Sequence, residues 1–326
     1  MRIPYDELKQ AFKRVLLASH FPEPKAEICA AIFAGNSRDG VHSHGLNRFP
    51  VFVKYVREGH IDPAAEPEMG ESLGAFERWR GNRAPGMYNA RLCMARAIQL
   101  ASQQGIGGVA IADTNHWMRG GTYGWQAAEA GFIGLCTTNT IANMPPWGGT
   151  QARLGNNPLI IAVPRAEGHL VLDMALSQFS YGKLQQYDWD KKALPVPGGY
   201  DAEGQLTTDA GAIRRSERPL PVGFWKGSAL SLVIDALVVA LSGGRNVAQI
   251  TANGYDGGNS QLFLCIKPGH FPPALIEEII GYAGSSAVEE GRTIAYPGQG
   301  TLAERRRSDA DGVEVNEAAW SKLLAM

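Results

Sequence analysis

The sequence of 326 residues has few cysteines, and none of them forms a recognisable metal-binding pattern. The four cysteines are Cys29, Cys93, Cys136 and Cys265. Because they are far apart and form neither a C-x-x-C pair nor a cluster with histidine, no metal site is expected. Cys136 and Cys265 lie within apolar segments, which is typical of buried thiols in a reducing compartment and favours a cytoplasmic protein.

The sequence also lacks an excess of either charge and a long apolar run. With 31 basic and 32 acidic residues, the formal net charge is −1, and the short basic cluster 305–307 is followed by Asp309 and Asp311. A nucleic-acid partner would need a broader positive face, so none is expected. No stretch approaches the ~18 continuous apolar residues that cross a bilayer, and the N-terminal segment has no apolar signal core, so no membrane partner is expected.

Two common catalytic signatures are missing as well. The absence of G-x-S-x-G argues against a serine nucleophile on a strand-to-helix elbow. The only match to the dinucleotide fingerprint is Gly298-Gln299-Gly300 through Ala303, which Pro297 precedes and only 23 residues follow. These are too few for the rest of a βαβ unit, so we interpret the motif as a tight turn before a terminal helix. A Rossmann fold is therefore not expected.

Hydrophobic periodicity predicts two kinds of structure along the chain. Helical spacing at 4–19, 24–36 and 49–58 indicates a helical subdomain over residues 1–68. Between 69 and 270, helical and strand-like segments alternate, which predicts an α/β domain that binds cofactor and substrate. The helical segments are 85–104, 124–130 and 228–241, and the strand-like segments are 107–113, 132–138, 158–163, 170–174 and 261–266.

Two further segments are predicted in the C-terminal part of the chain. Residues 194–223 are rich in proline and glycine and predict one long loop. Helices of the segment 271–326, the first at 273–282, are expected to pack back on the N-terminal subdomain. The predicted fold class is mixed α/β, with the helical N-terminal subdomain packed on a mixed-sheet cofactor domain.

The segment 42–48, which contains His42, Ser43, His44 and Arg48, joins the second and third predicted helices. A histidine titrates near neutral pH and can give a proton to a developing alkoxide. An arginine can hold a carboxylate in a bidentate fork. The alternative is a helix cap with Ser43 at the N-cap position, and the residue types alone leave both interpretations open.

Polar loops follow two of the predicted strands. Asn115-His116 and the pair Gly120-Gly121 come after the strand that ends at Asp113, and Asn139 follows the strand 132–138. Loops at the carboxyl ends of strands are where α/β proteins place ligands, and a glycine pair lets a ligand approach the backbone closely. An ordinary turn with a hydrogen-bonded histidine is the alternative for His116.

The segment Phe224-Trp225-Lys226-Gly227 places a lysine at the start of a predicted helix. The helix dipole disfavours a cation at that end. An anionic ligand shared by the helix amides and Lys226 would explain it, and an ordinary surface lysine is the alternative.

These motifs together resemble the malate/L-lactate dehydrogenase family of oxidoreductases, over about residues 2–324. The resemblance implies an NAD(H)- or NADP(H)-dependent enzyme that acts on a small 2-keto acid. It also implies a homodimer whose cofactor cleft is formed partly by the second subunit. The segments that carry the resemblance are Ser43-His44-Gly45 with Arg48 and Pro50, Asn115-His116-Trp117, Gly155 to Pro158, Leu172 to Ala175, and Trp225-Lys226-Gly227.

The resemblance also implies roles for single residues. His44 matches the proton donor, and His42 is left with a packing role. We expect His116 to polarise or orient the substrate carbonyl, Arg48 to grip the carboxylate, and Ser43 and Asn139 to contact the substrate. The residues that match cofactor contacts are His169, Leu170, Val171, Leu172, Asp173, Met174, Ala175, Trp225, Lys226, Gly298, Gln299 and Gly300.

Three alternatives stay open at this point. The first is a reductase of cyclic imino acids such as piperideine- or pyrroline-2-carboxylate, and the second is a malate, lactate or ureidoglycolate dehydrogenase. The third is a sugar-acid-binding protein that has lost catalysis. The combined presence of His44, His116 and Lys226 argues against the third.

Overall fold

The protein is described by a computed structural model that covers residues 1–269 and 272–326. The predicted domain boundary between residues 270 and 271 lies outside the described residues. The α-helices described are α1 (Tyr5–Ala18), α2 (Glu23–Arg38), α3 (Phe49–Arg57), α4 (Gly86–Gln104), α5 (Gly121–Glu129), α6 (Tyr181–Trp189), α7 (Ala210–Ser216), α8 (Trp225–Ser242), α9 (Val247–Ala252), α10 (Ala274–Gly284), α11 (Gln299–Asp311) and α12 (Glu317–Leu324).

The strands form one large sheet and two small ones. The large sheet has seven strands in the order β2-β3-β4-β10-β5-β6-β7, and the pairs are β1-β11 and β8-β9. The strands are β1 (Arg2–Ile3), β2 (Glu68–Leu73), β3 (Phe76–Arg80), β4 (Ile106–Asn115), β5 (Ile133–Thr138), β6 (Leu159–Val163), β7 (Leu170–Met174), β8 (Gly199–Tyr200), β9 (Leu206–Thr207), β10 (Gly257–Ile266) and β11 (Val313–Glu314).

The large sheet is mixed, as predicted. Within it, β3 and β4 pair in parallel, and the other neighbouring strands pair antiparallel. A Rossmann sheet is mostly parallel, with helices on both faces. Here α4 and α5 cover one face, where Val109 and Ile111 are buried, and α8 covers the other, where Ala110 is buried. This alternation along β4 is what a strand buried on both faces requires.

A second core lies among the N-terminal helices and includes the C-terminus of the chain. Phe12, Phe33 and Phe49 are fully buried, with ring centroids 4.7–5.6 Å apart. Trp320 and Leu323 of α12 join this core, and β1 pairs with β11. In contrast, α10 is held to the end of the large sheet, where the Arg165 guanidinium donates to Glu277 at 2.8 Å. The domain boundary between residues 68 and 69 stays a prediction.

The prediction of one long loop over 194–223 is wrong. This segment contains the hairpin of β8 and β9 and the helix α7, which Asp209 caps by accepting hydrogen bonds from two backbone amides. The strands β2 and β3 and the helices α6 and α9 were likewise not predicted. All six residues of β2 are exposed, so this strand lacks the alternation that reveals a half-buried strand.

The helix α8 is long and apolar enough, by length and composition, to cross a membrane. Its 18 residues have a mean hydropathy of 1.5, although Lys226 and Asp235 interrupt the apolar sequence. Ile234 and Val238 pack on the sheet, so one side of α8 belongs to the protein core. Only 33% of the helix is buried within the described structure.

Candidate active site

Two histidines from distant parts of the chain stack against each other. His44 ends a one-turn 3-10 helix, His42–His44, between α2 and α3, and His116 follows β4. Their ring centroids are 5.7 Å apart and their planes differ by 13°. Both rings border a cavity of about 600 Å³, which is within the range of 300–1,000 Å³ that is usual for small-molecule sites.

Ser43 fixes the orientation of the His44 ring. The Ser43 Oγ atom lies 3.0 Å from His44 Nδ1, which leaves Nε2 as the nitrogen available to a ligand. Helix α6 approaches Ser43 so closely that a Cβ atom on Gly182 would lie 2.4 Å from Ser43 Cβ. The structure thus brings Ser43 and His44 to the cavity wall, and the contact with Gly182 restricts the movement of Ser43.

Burial controls the charge of both histidines. It lowers the pKa of His44 to about 3, with a further lowering by the nearby His116 ring, while the Asp173 carboxylate acts in the opposite direction. Burial, followed by the positive charge of Arg48, lowers the pKa of His116 to about 3 as well. Both rings are therefore neutral near pH 7 in the free protein.

Arg48 lies beside the histidine pair, where its charge acts on both rings. It borders a second, small cavity of about 10 Å³ together with Tyr55, His116 and Asp256. Among residues 1–269 and 272–326 its guanidinium has no hydrogen-bond or ion-pair partner. An unpaired guanidinium beside the histidine pair is suited to bind an incoming carboxylate.

A buried ion network supports the opposite wall of the cavity. The Arg119 guanidinium donates to Asp39 at 2.8 Å, to Asp173 at 3.1 Å and to Thr301 at 3.1 Å. Arg305 donates to both oxygens of Asp39 at 2.9 Å. Burial raises the pKa of Asp39, but the bond from Arg305 and the charge of Arg119 outweigh it and hold this pKa below its ordinary value. The network ties α2, β7 and α11 together.

The edge strand β7 and the start of α11 form the wall that fits a dinucleotide. Val171, Leu172, Asp173 and Ala175 line the cavity, as does Gly298. The Val171 amide donates to the Pro297 carbonyl at 2.9 Å, so the loop before α11 crosses the strand edge. The amides at a helix N-terminus attract phosphate oxygens, and α11 begins at Gln299 beside this cavity.

Gly298 shows how tightly this wall is built. Its φ is +97°, and a Cβ atom there would lie 2.9 Å from the His169 carbonyl oxygen and 3.1 Å from the Val171 nitrogen. Only glycine adopts such a backbone without strain. The shape of the wall, the exposed strand edge and the helix start fit a nicotinamide dinucleotide on this side of the cavity.

The other predicted contacts on this wall do not line the cavity. The His169 ring accepts a hydrogen bond from the Arg165 amide, and Met174 packs under α8. Leu170 precedes the lining part of β7, and the Gln299 side-chain oxygen accepts from the Tyr296 amide at 3.2 Å. Gly300 is exposed on α11.

Three more predicted residues lie away from the cavity. Trp225 and Lys226 are exposed at the start of α8, with 61% of Trp225 accessible. Asn139 is fully buried, and its side-chain amide donates to Asp235 and to the Arg245 carbonyl, both at 2.8 Å. Its side-chain oxygen accepts from the Ser260 amide at 2.8 Å, so the Asn139 side chain is held by the protein at both ends.

Sequence reasoning missed several residues that border the two cavities. Thr140, Asn156 and Ser180 line the large one and Asp256 the small one. Asn156 lies in a turn that carries the family resemblance, so a signal for it existed. Asp256 precedes two glycines and an asparagine, which on its own is an ordinary turn signal.

The chain is similar to known oxidoreductases in sequence and in fold. The family model described as malate/L-lactate dehydrogenase matches residues 3–324. The 2,3-diketo-L-gulonate reductase of Escherichia coli is 44% identical over 336 aligned residues that cover 100% of both chains. The solved sulfolactate dehydrogenase of Methanocaldococcus jannaschii is 28% identical with a TM-score of 0.89, over 99% of this chain and 95% of that one. The Δ1-piperideine-2-carboxylate reductase of Pseudomonas syringae is 26% identical with a TM-score of 0.86, over 100% and 99%.

Proposed function

Because the chain belongs to the malate/L-lactate dehydrogenase family of nicotinamide-dependent oxidoreductases, we propose that it reduces a small 2-keto acid, namely 2,3-diketo-L-gulonate to 3-dehydro-L-gulonate. The observation that carries the proposal is the stacked pair of His44 and His116, which faces a cavity walled by β7 and the start of α11. The cofactor, NAD(H) or NADP(H), would supply the hydride that reduces the keto carbon.

His44 is the proton donor in this proposal. Its Nδ1 atom is held by Ser43, so Nε2 can deliver a proton to the carbonyl oxygen as negative charge develops there. Since burial lowers the pKa of His44, the protonated ring forms only when a nearby anion stabilises it. A bound substrate carboxylate, added to the Asp173 carboxylate, provides this negative charge.

Arg48 is the proposed anchor for the substrate carboxylate. It is unpaired within the described residues, and its charge already acts on His116. Ser43 completes the substrate side of the site from the 3-10 turn. Asn139 supports this site from beneath, since its amide joins the end of β5 to α8 and β10.

We also propose that the working form is a cytoplasmic homodimer in which the second copy covers the outer face of α8. Large apolar side chains on this face are exposed to solvent, and such a face normally meets a partner. Trp225 and Lys226 lie at its end and do not line the cavity of their own chain, which supports a role for them at the cofactor cleft of the second copy. The exposed apolar residues of the face are Trp225, Leu230, Leu232, Val233 and Leu237.

A cofactor-by-substrate panel tests the proposal. The protein is assayed with NADH and NADPH against 2,3-diketo-L-gulonate, Δ1-piperideine-2-carboxylate and oxaloacetate, and with the oxidised cofactors against lactate and ureidoglycolate. We expect the loss of reduced-nicotinamide absorbance with the diketo acid and little with the others. Turnover of the imine but not of the diketo acid would assign the chain to the imino acid reductases instead. Binding of keto acids without any absorbance change would indicate a binding protein.

A further inference from the structure

Each ring nitrogen of His116 faces a different group of the protein. The Met118 backbone amide donates to His116 Nδ1 at 3.0 Å. Met118 holds a φ of +66°, a left-handed conformation that is unfavourable for this residue type and that aims its amide back at the ring. Because Nδ1 accepts a hydrogen bond, the proton of the neutral ring must be on Nε2.

The other nitrogen faces a carboxylate. Asp256 Oδ2 lies 4.0 Å from His116 Nε2, and the two side chains are only 12% and 20% exposed. Both border the small cavity of about 10 Å³, which is close to the volume that one water needs. At 4.0 Å the Asp256 oxygen is too far from Nε2 for a direct hydrogen bond, so it would reach the Nε2 proton through a single water.

The Asp256 carboxylate is itself held in place. Its Oδ1 atom accepts from the Ile141 amide at 3.2 Å and from the Asn259 side chain at 3.1 Å. The strand β10 is irregular at this point, with register shifts between Gly257 and Asn259 and between Asn259 and Gln261. Bulges of this kind occur beside active sites and redirect side chains.

From this geometry we infer that Asp256 is a positioning residue of the active site, which selects the Nε2-protonated form of His116 and holds its ring parallel to His44. The inference rests on the proposed function. Arg48 and His44 are the other ionisable groups that face His116. The Arg48 guanidinium has no acceptor, and His44 is stacked on the face of His116 rather than in the ring plane, where the Nε2 proton points. His116 thereby presents a fixed ring face, rather than a free donor, to the substrate.

The variant Asp256→Asn tests this selection with little change of shape. The Ile141 amide and the Asn259 side chain donate to Oδ1, so they keep the oxygen of the new asparagine at that position. Its NH₂ group then points towards His116 Nε2. A donor at Nε2 moves the ring proton to Nδ1, where it meets the Met118 amide. We expect kcat to fall by roughly 10- to 100-fold, as a small misplacement of a reacting group can cost 10²-fold. The KM for the cofactor should stay within about twofold, and Asp256→Glu should recover part of the lost kcat.

A matched control and a spectroscopic readout separate positioning from folding. Asp201→Asn removes a carboxylate that also accepts a backbone amide, at 2.8 Å from Gln205, but lies outside both cavities, so its kcat should match the wild type. Nitrogen NMR of the free protein with labelled histidine should show His116 protonated at Nε2 in the wild type and not in Asp256→Asn. The signal is assigned by its loss in His116→Gln from the spectrum of the seven histidines.

The outcomes are distinct from those of the substrate panel. If the wild-type protein reduces no keto acid, the proposed function fails, but the NMR result still decides the role of Asp256. The inference is overturned if His116 is protonated at Nδ1 in the wild type. It is also overturned if Asp256→Asn keeps the wild-type kcat and the wild-type His116 signal.

Discussion

A histidine that donates a proton usually titrates near neutrality, but burial lowers the pKa of both His44 and His116 to about 3. Because these pKa values are low, both stacked rings stay neutral near pH 7, and no charge repulsion pushes them apart. The low pKa of His44 also links its protonation to the arrival of an anionic substrate. In the proposed mechanism, the site acquires its acid when the substrate binds.

The first prediction concerns stability against pH. The folded-state pKa of each ring lies below its ordinary value of 6.5, so the unfolded chain binds more protons between about pH 6.5 and about pH 3. We expect the free energy of unfolding to fall as the pH is lowered through this window. Urea unfolding at several pH values should show a smaller fall for His44→Gln than for the wild type.

An exposed histidine provides the control for this experiment. His20 lies on the surface after α1, so His20→Gln should leave the pH dependence of unfolding unchanged. If His44→Gln and His20→Gln show the same dependence as the wild type, then burial does not hold His44 neutral in the folded state.

At the residue scale, chemistry could be predicted where a short segment carries several functional groups. Ser43, His44 and Arg48 are close in sequence, and the structure places them around His116. The supports of these residues could not be predicted, because Asp39, Arg305 and Asp256 come from distant elements and bond only in the folded chain. Asn139 shows the opposite difficulty. A polar residue after a strand resembles a ligand contact, but the Asn139 side chain forms hydrogen bonds that join neighbouring elements.

At the scale of the element, the helices α1 to α4 were predicted from apolar residues at helical spacing, and the strands β4 to β7 from short apolar runs. The elements that were not predicted are stabilised by other interactions. Helix α7 begins at the side-chain cap of Asp209, and β2 depends on backbone pairing with β3. Local periodicity cannot reveal either contribution.

The turn at Gly298 carries the second prediction. In Gly298→Ala, the new Cβ meets the His169 oxygen and the Val171 nitrogen, so β7 or the start of α11 must shift. Overpacking typically costs 1–3 kcal/mol, and we expect cofactor binding to weaken by roughly tenfold, which equals about 1.4 kcal/mol. Titration of the reduced cofactor by fluorescence measures this change.

Gly291 is a matched control for backbone strain. Its φ is +73°, but nothing lies within 4 Å of a Cβ atom there. Gly291→Ala should therefore strain the backbone in a similar way and leave cofactor affinity near the wild-type value. Equal affinities for the two variants would contradict the assignment of this wall to the cofactor.

At the scale of the whole molecule, the outer face of α8 is the feature that a single chain leaves unexplained. One side of the helix packs on the sheet through Ile234 and Val238, and the other exposes Leu232 and Val233 at 60% and 59%. A face of this kind is costly in water unless it is covered. The proposed second copy would cover it and bring Trp225 and Lys226 to the cofactor.

The third prediction is that Leu237→Glu dissociates the proposed dimer. A buried, unpaired carboxylate at the interface opposes association. Light scattering after gel filtration should show a monomer, and reductase activity should fall because each cleft loses the residues of its partner.

Leu17→Glu provides a control with the same starting exposure. Leu17 and Leu237 are both 42% exposed, and Leu17 lies on α1. Leu17→Glu should keep the mass and activity of the wild type. A wild type that is monomeric and active would refute both the dimer and the shared cleft.

The central claim is that His44 gives the proton in a hydride transfer to a keto acid, and the turnover of His44→Ala tests it most directly. General acid catalysis contributes about 10²- to 10⁴-fold, so kcat for reduction should fall by that factor while the reduced cofactor still binds with an affinity within about twofold of the wild type. Turnover within a few-fold of the wild type on the same keto acid would show that His44 is not the donor.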